Sequence, residues 1–274
     1  MARDGADVLP QARTLVLEHG HPTPLAVVLF HGLTNNPAQF SQFAPLLHAQ
    51  GINVFIPRMP KHGDRNRLAT QIATITAEEL LGAAGEAVDI AHGLGERIGV
   101  LGISAGALIT AYFAQVRPIA VAVPVAPSFA LLQLPYGLSR FVQRVALRLP
   151  NAFLWWDPRV RESQQPLTAY PRFSTHALMQ SLRIGDAVYA AASRERPLAE
   201  RIVVVVNRAD PAVNNAVTKS IAQAWSARNP RGVACFELSN LPQLHDIMDP
   251  MQPSARPDLV YPKLLEALGV TSAL

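Results

Sequence analysis

The chain has 274 residues, 49% of them apolar and 16% charged, with 24 Lys and Arg against 20 Asp and Glu for a formal net charge of +4. So much apolar material in a chain this long supports one large domain with a buried core, or one domain carrying an insertion, and excludes a disordered chain. The mild positive balance gathers into no basic block, so nucleic acid is not an expected partner.

The first twenty residues hold no apolar stretch of the secretory type, which makes a cytoplasmic location the expectation. A strand or hairpin arm is expected at 13–18. After the turn His21-Pro22-Thr23-Pro24 comes a strong strand, 25–30, ending in His31-Gly32-Leu33-Thr34-Asn35-Asn36-Pro37. A helix over 37–50 would turn Phe40, Phe43, Leu46 and Leu47 inward, with Gly51 as its C-cap. A strand at 52–57 leads into the polar loop Arg58-Met59-Pro60-Lys61-His62-Gly63-Asp64. Thr76-Ala77-Glu78-Glu79 starts a helix running to about 94, with acidic residues at its positive end.

The apolar run 97–103 reads as a buried parallel strand, and an Ala-rich helical pattern, 105–114, begins immediately after it. Between them lies Gly102-Ile103-Ser104-Ala105-Gly106. A serine on a strand-to-helix corner, with glycine two positions to either side, is the nucleophile elbow. The turn lifts the hydroxyl above the sheet and aims the amides of a helix N-terminus at any developing anion.

A further strand, 119–123, is expected to stop at Pro124. The most apolar window, 119–134, is cut by Pro124 and Pro127 and is too short to span a bilayer. From 128 to 199 Pro, Trp, Tyr and Arg replace the regular alternation, over too many residues for a plain connection. This segment reads as a helical cap inserted into a core domain made of 1–127 and 200–274. Within it a helix is expected at 138–149, an irregular aromatic piece at 153–157 and a helix at 174–192. Arg140, Arg144 and Arg148 lie along one side of the first helix beside Phe141, Val145 and Leu149. That pattern suits a solvated helix surface and is also compatible with peripheral contact with anionic lipid.

The alternation resumes with a strand at 201–207, a helix at 218–228, a strand at 233–238, a loop carrying His245 and a closing helix at 259–268. The expected fold is therefore α/β: a mostly parallel central sheet with helices on both faces. Cys235, the lone cysteine, reads as a buried strand thiol, which leaves no internal disulfide and suggests no cysteine-based metal site.

A serine hydroxyl needs an imidazole to take its proton and a third group to hold that ring in one tautomer. In an open α/β sheet such groups converge from loops at the C-terminal ends of strands. His245, just after the last strand, is the candidate base. Asp210, just past the strand ending at Asn207, is the candidate acid; Asp246 and Asp249 sit too close to His245 in sequence to orient it, and Asp249 reads as fixing the loop or a helix start. For the oxyanion the backbone amides of Ala105 and Leu33 are the natural donors, with Gly32 permitting close backbone approach. His31 reads as a structural hydrogen-bonder below the site, and His62 and Asp64 as structural loop residues.

Taken together, His31-Gly32-Leu33-Thr34, the 102–106 elbow, Asp210 and His245 resemble the α/β-hydrolase superfamily over nearly the whole chain outside the cap. Within it, the loops Pro60-Lys61-His62-Gly63 and His245-Asp246-Ile247-Met248-Asp249 are similar to those of bacterial carboxylesterases and monoacylglycerol-lipase-like serine hydrolases. Lys61 departs from the glycine usual there, and Leu244 from a small residue. The resemblance implies a cofactor-free serine hydrolase acting on small carboxylic esters, short or medium acyl esters or monoacylglycerols, through an acyl-enzyme on Ser104. A peptidase, amidase, thioesterase or carbon-carbon bond hydrolase of the same fold is the alternative, and a binding protein that kept the fold the remaining one. In the cap, Phe129, Trp155, Trp156 and Met179 are candidates for contact with an acyl group, alongside Leu131, Leu132, Leu134, Tyr136 and Phe153. No acidic cluster there advertises an amino-group substrate, although Glu162 and Asp186 are present. The sequence gives no indication of oligomeric state.

Overall fold

The computed structural model describes residues 4–131, 134–158 and 169–270, so Leu132 and Glu162 lie outside the described residues. In chain order the strands and α-helices are β1 (Leu15–Leu17), β2 (Thr23–Phe30), α1 (Phe43–Ala49), β3 (Asn53–Ile56), α2 (Ala77–Ala91), β4 (Gly95–Ile103), α3 (Ala105–Val116), β5 (Val121–Val125), α4 (Tyr136–Ala146), β6 (Phe153–Trp155), β7 (Arg172–Ser174), α5 (Thr175–Ala192), β8 (Arg201–Asn207), α6 (Asn215–Arg228), β9 (Val233–Leu238) and α7 (Pro257–Leu268).

Seven strands form one sheet in the order β1-β3-β2-β4-β5-β8-β9. Only β1 runs antiparallel to its neighbour. The central strands are near-continuous runs of Val, Ile, Leu and Ala because both faces are covered. On one face Val28, Phe30, Val100 and Val204 pack with residues of α2, α3, α5 and α6, among them Val88, Leu108, Ile184 and Trp225. On the other, Val27, Leu29, Leu101 and Val205 meet Phe43 and Leu47 of α1 and Val260 and Leu264 of α7.

Local chemistry sets the ends of the helices. Thr76 and Glu79 form a reciprocal capping box at the start of α2. After α1 the amides of Gly51 and Ile52 close back on the carbonyls of His48 and Leu47, and Gly51 takes φ +77°. This is a Schellman stop, which needs a residue tolerant of the left-handed region.

Several expectations change. The helix foreseen over 37–50 is broken into a 3-10 turn (Pro37–Phe40) and α1, and Leu46 faces outward, 42% exposed. The break comes from Asn36, whose side chain caps the turn through the amide of Ala38, so the helical phase restarts at Phe43. β5 continues through Pro124 instead of stopping there: its register with β8 pairs Val121 and Ala122, then resumes at Val125. The missing N–H of proline thus falls where that ladder lapses. Cys235 is exposed, not buried, because β9 is the last strand of the sheet and has no outer neighbour. The aromatic piece after α4 is not irregular: β6 pairs antiparallel with β7, Phe153 opposite Ser174 and Trp155 opposite Arg172. Aromatic residues on both arms, Phe153 and Trp155 against Phe173, favour that ribbon over helix.

Parallel register levels the strand ends. Phe30 lies opposite Gly102, Ile103 opposite Val125, and Asn207 opposite Leu238. The loops following β2, β4, β8 and β9 therefore emerge along one edge of the sheet.

Candidate active site

Ser104 joins β4 to α3 with φ +58° and ψ −114°, a conformation that costs a non-glycine residue free energy. The flanking glycines are dictated by backbone contacts. A Cβ on Gly102 would stand 2.3 Å from the carbonyl oxygen of Gly106, and one on Gly106 would stand 2.1 Å from that of Phe30. No side-chain rotation relieves either clash, so β2, β4 and the first turn of α3 can approach this closely only with glycine at both sites.

The loops bring three distant side chains together. Ser104 Oγ lies 2.8 Å from His245 Nε2, and His245 Nδ1 lies 2.7 Å from Asp210 Oδ2. With a carboxylate against Nδ1, that nitrogen carries the proton and leaves Nε2 free to accept from the serine hydroxyl. The Asp210 side chain is fully buried, while that of His245 is 23% exposed. Burial pulls the imidazole pKa down, but the hydrogen bond and charge of Asp210, with the charge of Asp246, outweigh it and hold His245 above the ordinary histidine value.

Asn207, fully buried at the end of β8, is a residue the sequence did not single out. Its amide nitrogen donates to the carbonyls of Pro242 and Leu244, and its oxygen accepts from the amide of Ala209. One side chain thereby ties the loop of Asp210 to the loop of His245. Asp246 makes a second tie. Its Oδ2 accepts from Asn35 at 3.0 Å and Gln39 at 2.9 Å, and its Oδ1 from the amides of Met248 and Asp249. Gln39, 2% exposed, also accepts the amide of Gly32 at 2.9 Å. Asp249 caps the amide of Met251 at 2.9 Å.

The loop after β2 is held from below by two buried histidines. His31 spans the Gly32 carbonyl and the Met59 amide. His62 sits between the carbonyls of Leu33, 2.5 Å from Nε2, and Pro60, 2.8 Å from Nδ1. Burial lowers the pKa of both rings, and of His31 strongly. Neither they nor Asp64 line the main cavity. Asp64 holds its own loop through Asn66 and Gln71. Lys61 explains its unusual place: it occupies the left-handed region at φ +62° and extends its Nζ to Thr74 and Glu79, each at 2.8 Å.

Leu33 and Ala105 both border the cavity. Ala105 is the first residue of α3, where an amide has no intrahelical acceptor. Among the described residues no backbone hydrogen bond takes up either amide. Gly32 also borders the cavity, but a Cβ there would approach protein atoms no closer than 3.7 Å, so the protein's own packing does not require glycine at that position.

The cavity above Ser104 measures about 400 Å³. Its lining includes the apolar Trp156, Tyr170, Leu178, Leu244 and Met251 and the polar Asn35, Gln39, Asp157, Asp246 and Gln252. Of the four cap residues expected to meet an acyl group, only Trp156 lines it. Its indole N–H donates to Thr34 Oγ1 at 2.8 Å, and its ring packs on Phe173. Trp155, the last residue of β6, does not line the cavity. Phe129 is 2% exposed and packs on Gly185 where α5 meets α3. Met179 is 5% exposed, and it is Leu178, one residue earlier on α5, that reaches the cavity. Among the described residues no group of three or more His, Cys, Asp or Glu could hold a metal ion, and no helix is long and apolar enough to cross a membrane.

No curated protein matches the chain in sequence. Solved structures do match over nearly its full length. One, described with the metagenome-derived lipolytic enzymes LipS and LipT, is 18% identical with a TM-score of 0.71 and covers 96% of this chain and 100% of its own. A monoacylglycerol lipase from Paleococcus ferrophilus is 17% identical with a TM-score of 0.70, covering 94% and 100%. A soluble variant of monoglyceride lipase from Saccharomyces cerevisiae is 11% identical with a TM-score of 0.67, covering 95% and 92%. At these identities the likeness is one of fold. A family model described as the alpha/beta hydrolase family matches residues 27–255, and with the mostly parallel sheet and the corner serine in place, the chain belongs to that family.

Proposed function

We propose that the protein is a serine hydrolase of carboxylic esters, with Ser104 as nucleophile, His245 as general base and acid, and Asp210 as the group that orients the imidazole. The observation that carries this reading is the unbroken hydrogen-bonded chain from Ser104 through His245 to buried Asp210, opening on a cavity. As Ser104 Oγ attacks the ester carbonyl, His245 Nε2 takes its proton, and the carbonyl oxygen becomes an oxyanion facing the amides of Leu33 and Ala105. Collapse of that intermediate expels the alcohol, which receives the proton from Nε2, and leaves an ester on Ser104. Water, deprotonated by His245, then attacks the acyl carbon, and the second collapse returns the proton to Ser104 and releases the acid.

Cavity size and lining favour small esters. Ligand sites run from about 300 to 1,000 Å³, so this one, at about 400 Å³ with both apolar and polar lining residues, suits a short or medium acyl chain and a hydroxyl-bearing leaving group, as in a monoacylglycerol. Similarity in fold to lipolytic enzymes and monoacylglycerol lipases supports the same class. In this reading residues 1–127 and 200–274 make the catalytic core, and 128–199 a cap that bounds the acyl site.

A fluorophosphonate probe should label Ser104 in the folded protein, and p-nitrophenyl esters of graded chain length should be cleaved faster than aminoacyl anilides or acyl thioesters. Ser104→Ala should abolish both signals. Retention of ester turnover in that variant, or faster cleavage of anilides or thioesters than of esters, overturns the assignment.

A further inference from the structure

A surface helix ordinarily turns its apolar stripe toward the core; α4 leaves an apolar stripe facing outward. Its two fully buried positions are polar, Ser139 and Gln143 at 3% exposure each, while Tyr136, Val142 and Ala146 are only partly buried. The Ser139 hydroxyl accepts the amide of Leu131, and the Gln143 amide donates to the carbonyl of Met179. Its outward stripe is Leu138, Phe141 and Val145, prolonged by Leu149 in the turn that follows, at 47%, 64%, 37% and 57% exposure. A period of 3.6 residues sets all four on one side. The chain's own core gives no reason for such a face.

We infer that α4 is an interfacial helix that seats the protein on a membrane surface carrying anionic phospholipid. Charge selects this occupant. Between 136 and 149 the sequence has three arginines and no Asp or Glu. Arg140 is engaged by Asp186 at 3.4 Å, while Arg144 and Arg148 are exposed and flank the apolar stripe next to Phe141. Apolar anchors bordered by arginine are what an anionic headgroup layer takes up. A second copy of the chain is disfavoured by the same charges. A two-fold contact through this stripe is self-complementary by symmetry, so it brings the arginines of one α4 toward those of the other.

The docking face is linked to the cavity. The carbonyl of Leu149 lies 2.8 Å from Nε2 of His176 in the first turn of α5, and Leu178, two residues on, lines the cavity. Membrane binding does not depend on the ester-hydrolase reading; what that reading adds is a source of substrate, since esters with acyl chains partition into the same layer.

The test is co-sedimentation of the full chain with vesicles of phosphatidylcholine alone and of phosphatidylcholine mixed with phosphatidylglycerol. Binding to the mixed vesicles should be stronger by about 25-fold, roughly fivefold for each of Arg144 and Arg148, and should weaken as salt is raised. Arg144→Glu with Arg148→Glu should erase the preference. Phe141→Ser with Leu149→Ser should reduce binding to both vesicle types at least about tenfold. Because these four side chains are exposed, hydrolysis of a water-soluble p-nitrophenyl ester and fluorophosphonate labelling of Ser104 should be unchanged in every variant. Equal binding to the two vesicle types, binding to neither, or a dimer in solution that Phe141→Ser dissociates, overturns the inference. Each of those results can occur in a protein whose Ser104 still labels, so failure here and failure of the hydrolase reading are distinguishable.

Discussion

Gln39→Leu isolates the bridge between the oxyanion loop and the histidine loop. The substitution keeps volume in a position only 2% exposed, so no cavity forms, but it deletes two hydrogen bonds. The amide of Gly32 loses a neutral partner, a loss of about 1 kcal/mol, and Asp246 loses a charge-assisted one, about 1.5–3 kcal/mol. Asp246 is partly exposed and keeps Asn35 and two backbone donors, so the lower part of that range applies and the total is about 2–3 kcal/mol. In a domain of this size that lowers the unfolding midpoint by roughly 4–10 °C. Activity should fall further than stability alone explains. Removing an oxyanion donor outright costs about 10²- to 10³-fold in kcat; loosening the residue before Leu33 should cost a part of that, about 10- to 100-fold, with little change in KM. Thermal unfolding and steady-state kinetics on a p-nitrophenyl ester measure the two effects separately. If the midpoint falls as expected while kcat stays at the wild-type value, the bridge supports the fold without positioning the amide of Leu33.

Asp210→Asn should lower kcat by about 10⁴-fold, because an amide leaves the imidazole in the wrong tautomer; a loss under tenfold in the same ester assay would assign the orienting role elsewhere. Because His245 is held above the ordinary histidine pKa and must be neutral to act, kcat/KM should fall as pH drops through an apparent pKa above about 6.5. Asp246→Asn should shift that midpoint to lower pH by removing a nearby negative charge, and a pH-rate profile whose midpoint does not move refutes the electrostatic part of the account. At position 61, Lys61→Ala keeps the left-handed backbone and loses the contacts to Thr74 and Glu79. Lys61→Gly loses the same contacts but relieves the backbone, so the glycine variant should be the more stable of the two by about 1 kcal/mol in denaturant unfolding. Equal stability would show that the backbone there is unstrained.

The parts legible in the sequence were those written in local periodicity. The runs 25–30, 97–103 and 201–207 could be little but buried parallel strands, and they fixed which loops would share an edge. The elbow was legible because two glycines and a serine carry a backbone requirement, since a Cβ at either glycine would stand 2.1 or 2.3 Å from a backbone oxygen. Gln39, Asn207 and the bridging role of Asp246 were not, because nothing local distinguishes an amide that will be buried against a loop far away in the sequence from one facing water. Their nearest signal was the crowding of Asn35, Asn36 and Gln39 into one short loop. Cap contacts were misjudged for a related reason: Phe129 and Met179 are as apolar as Trp156 and Leu178, and only the phase of α5 and the paths of the segments after β5 and β6 decide which of them meets the cavity.

Thr34, next to Leu33, receives the indole N–H of Trp156 on its hydroxyl and the amide of Tyr170 on its carbonyl, at 2.8 and 2.7 Å. Trp156 and Tyr170 both line the cavity, so that wall of the chamber and the turn carrying Leu33 share fasteners. A change at Trp156 or Tyr170 is therefore also a change at the residue beside Leu33, so the shape of the chamber and the setting of the Leu33 amide do not vary independently.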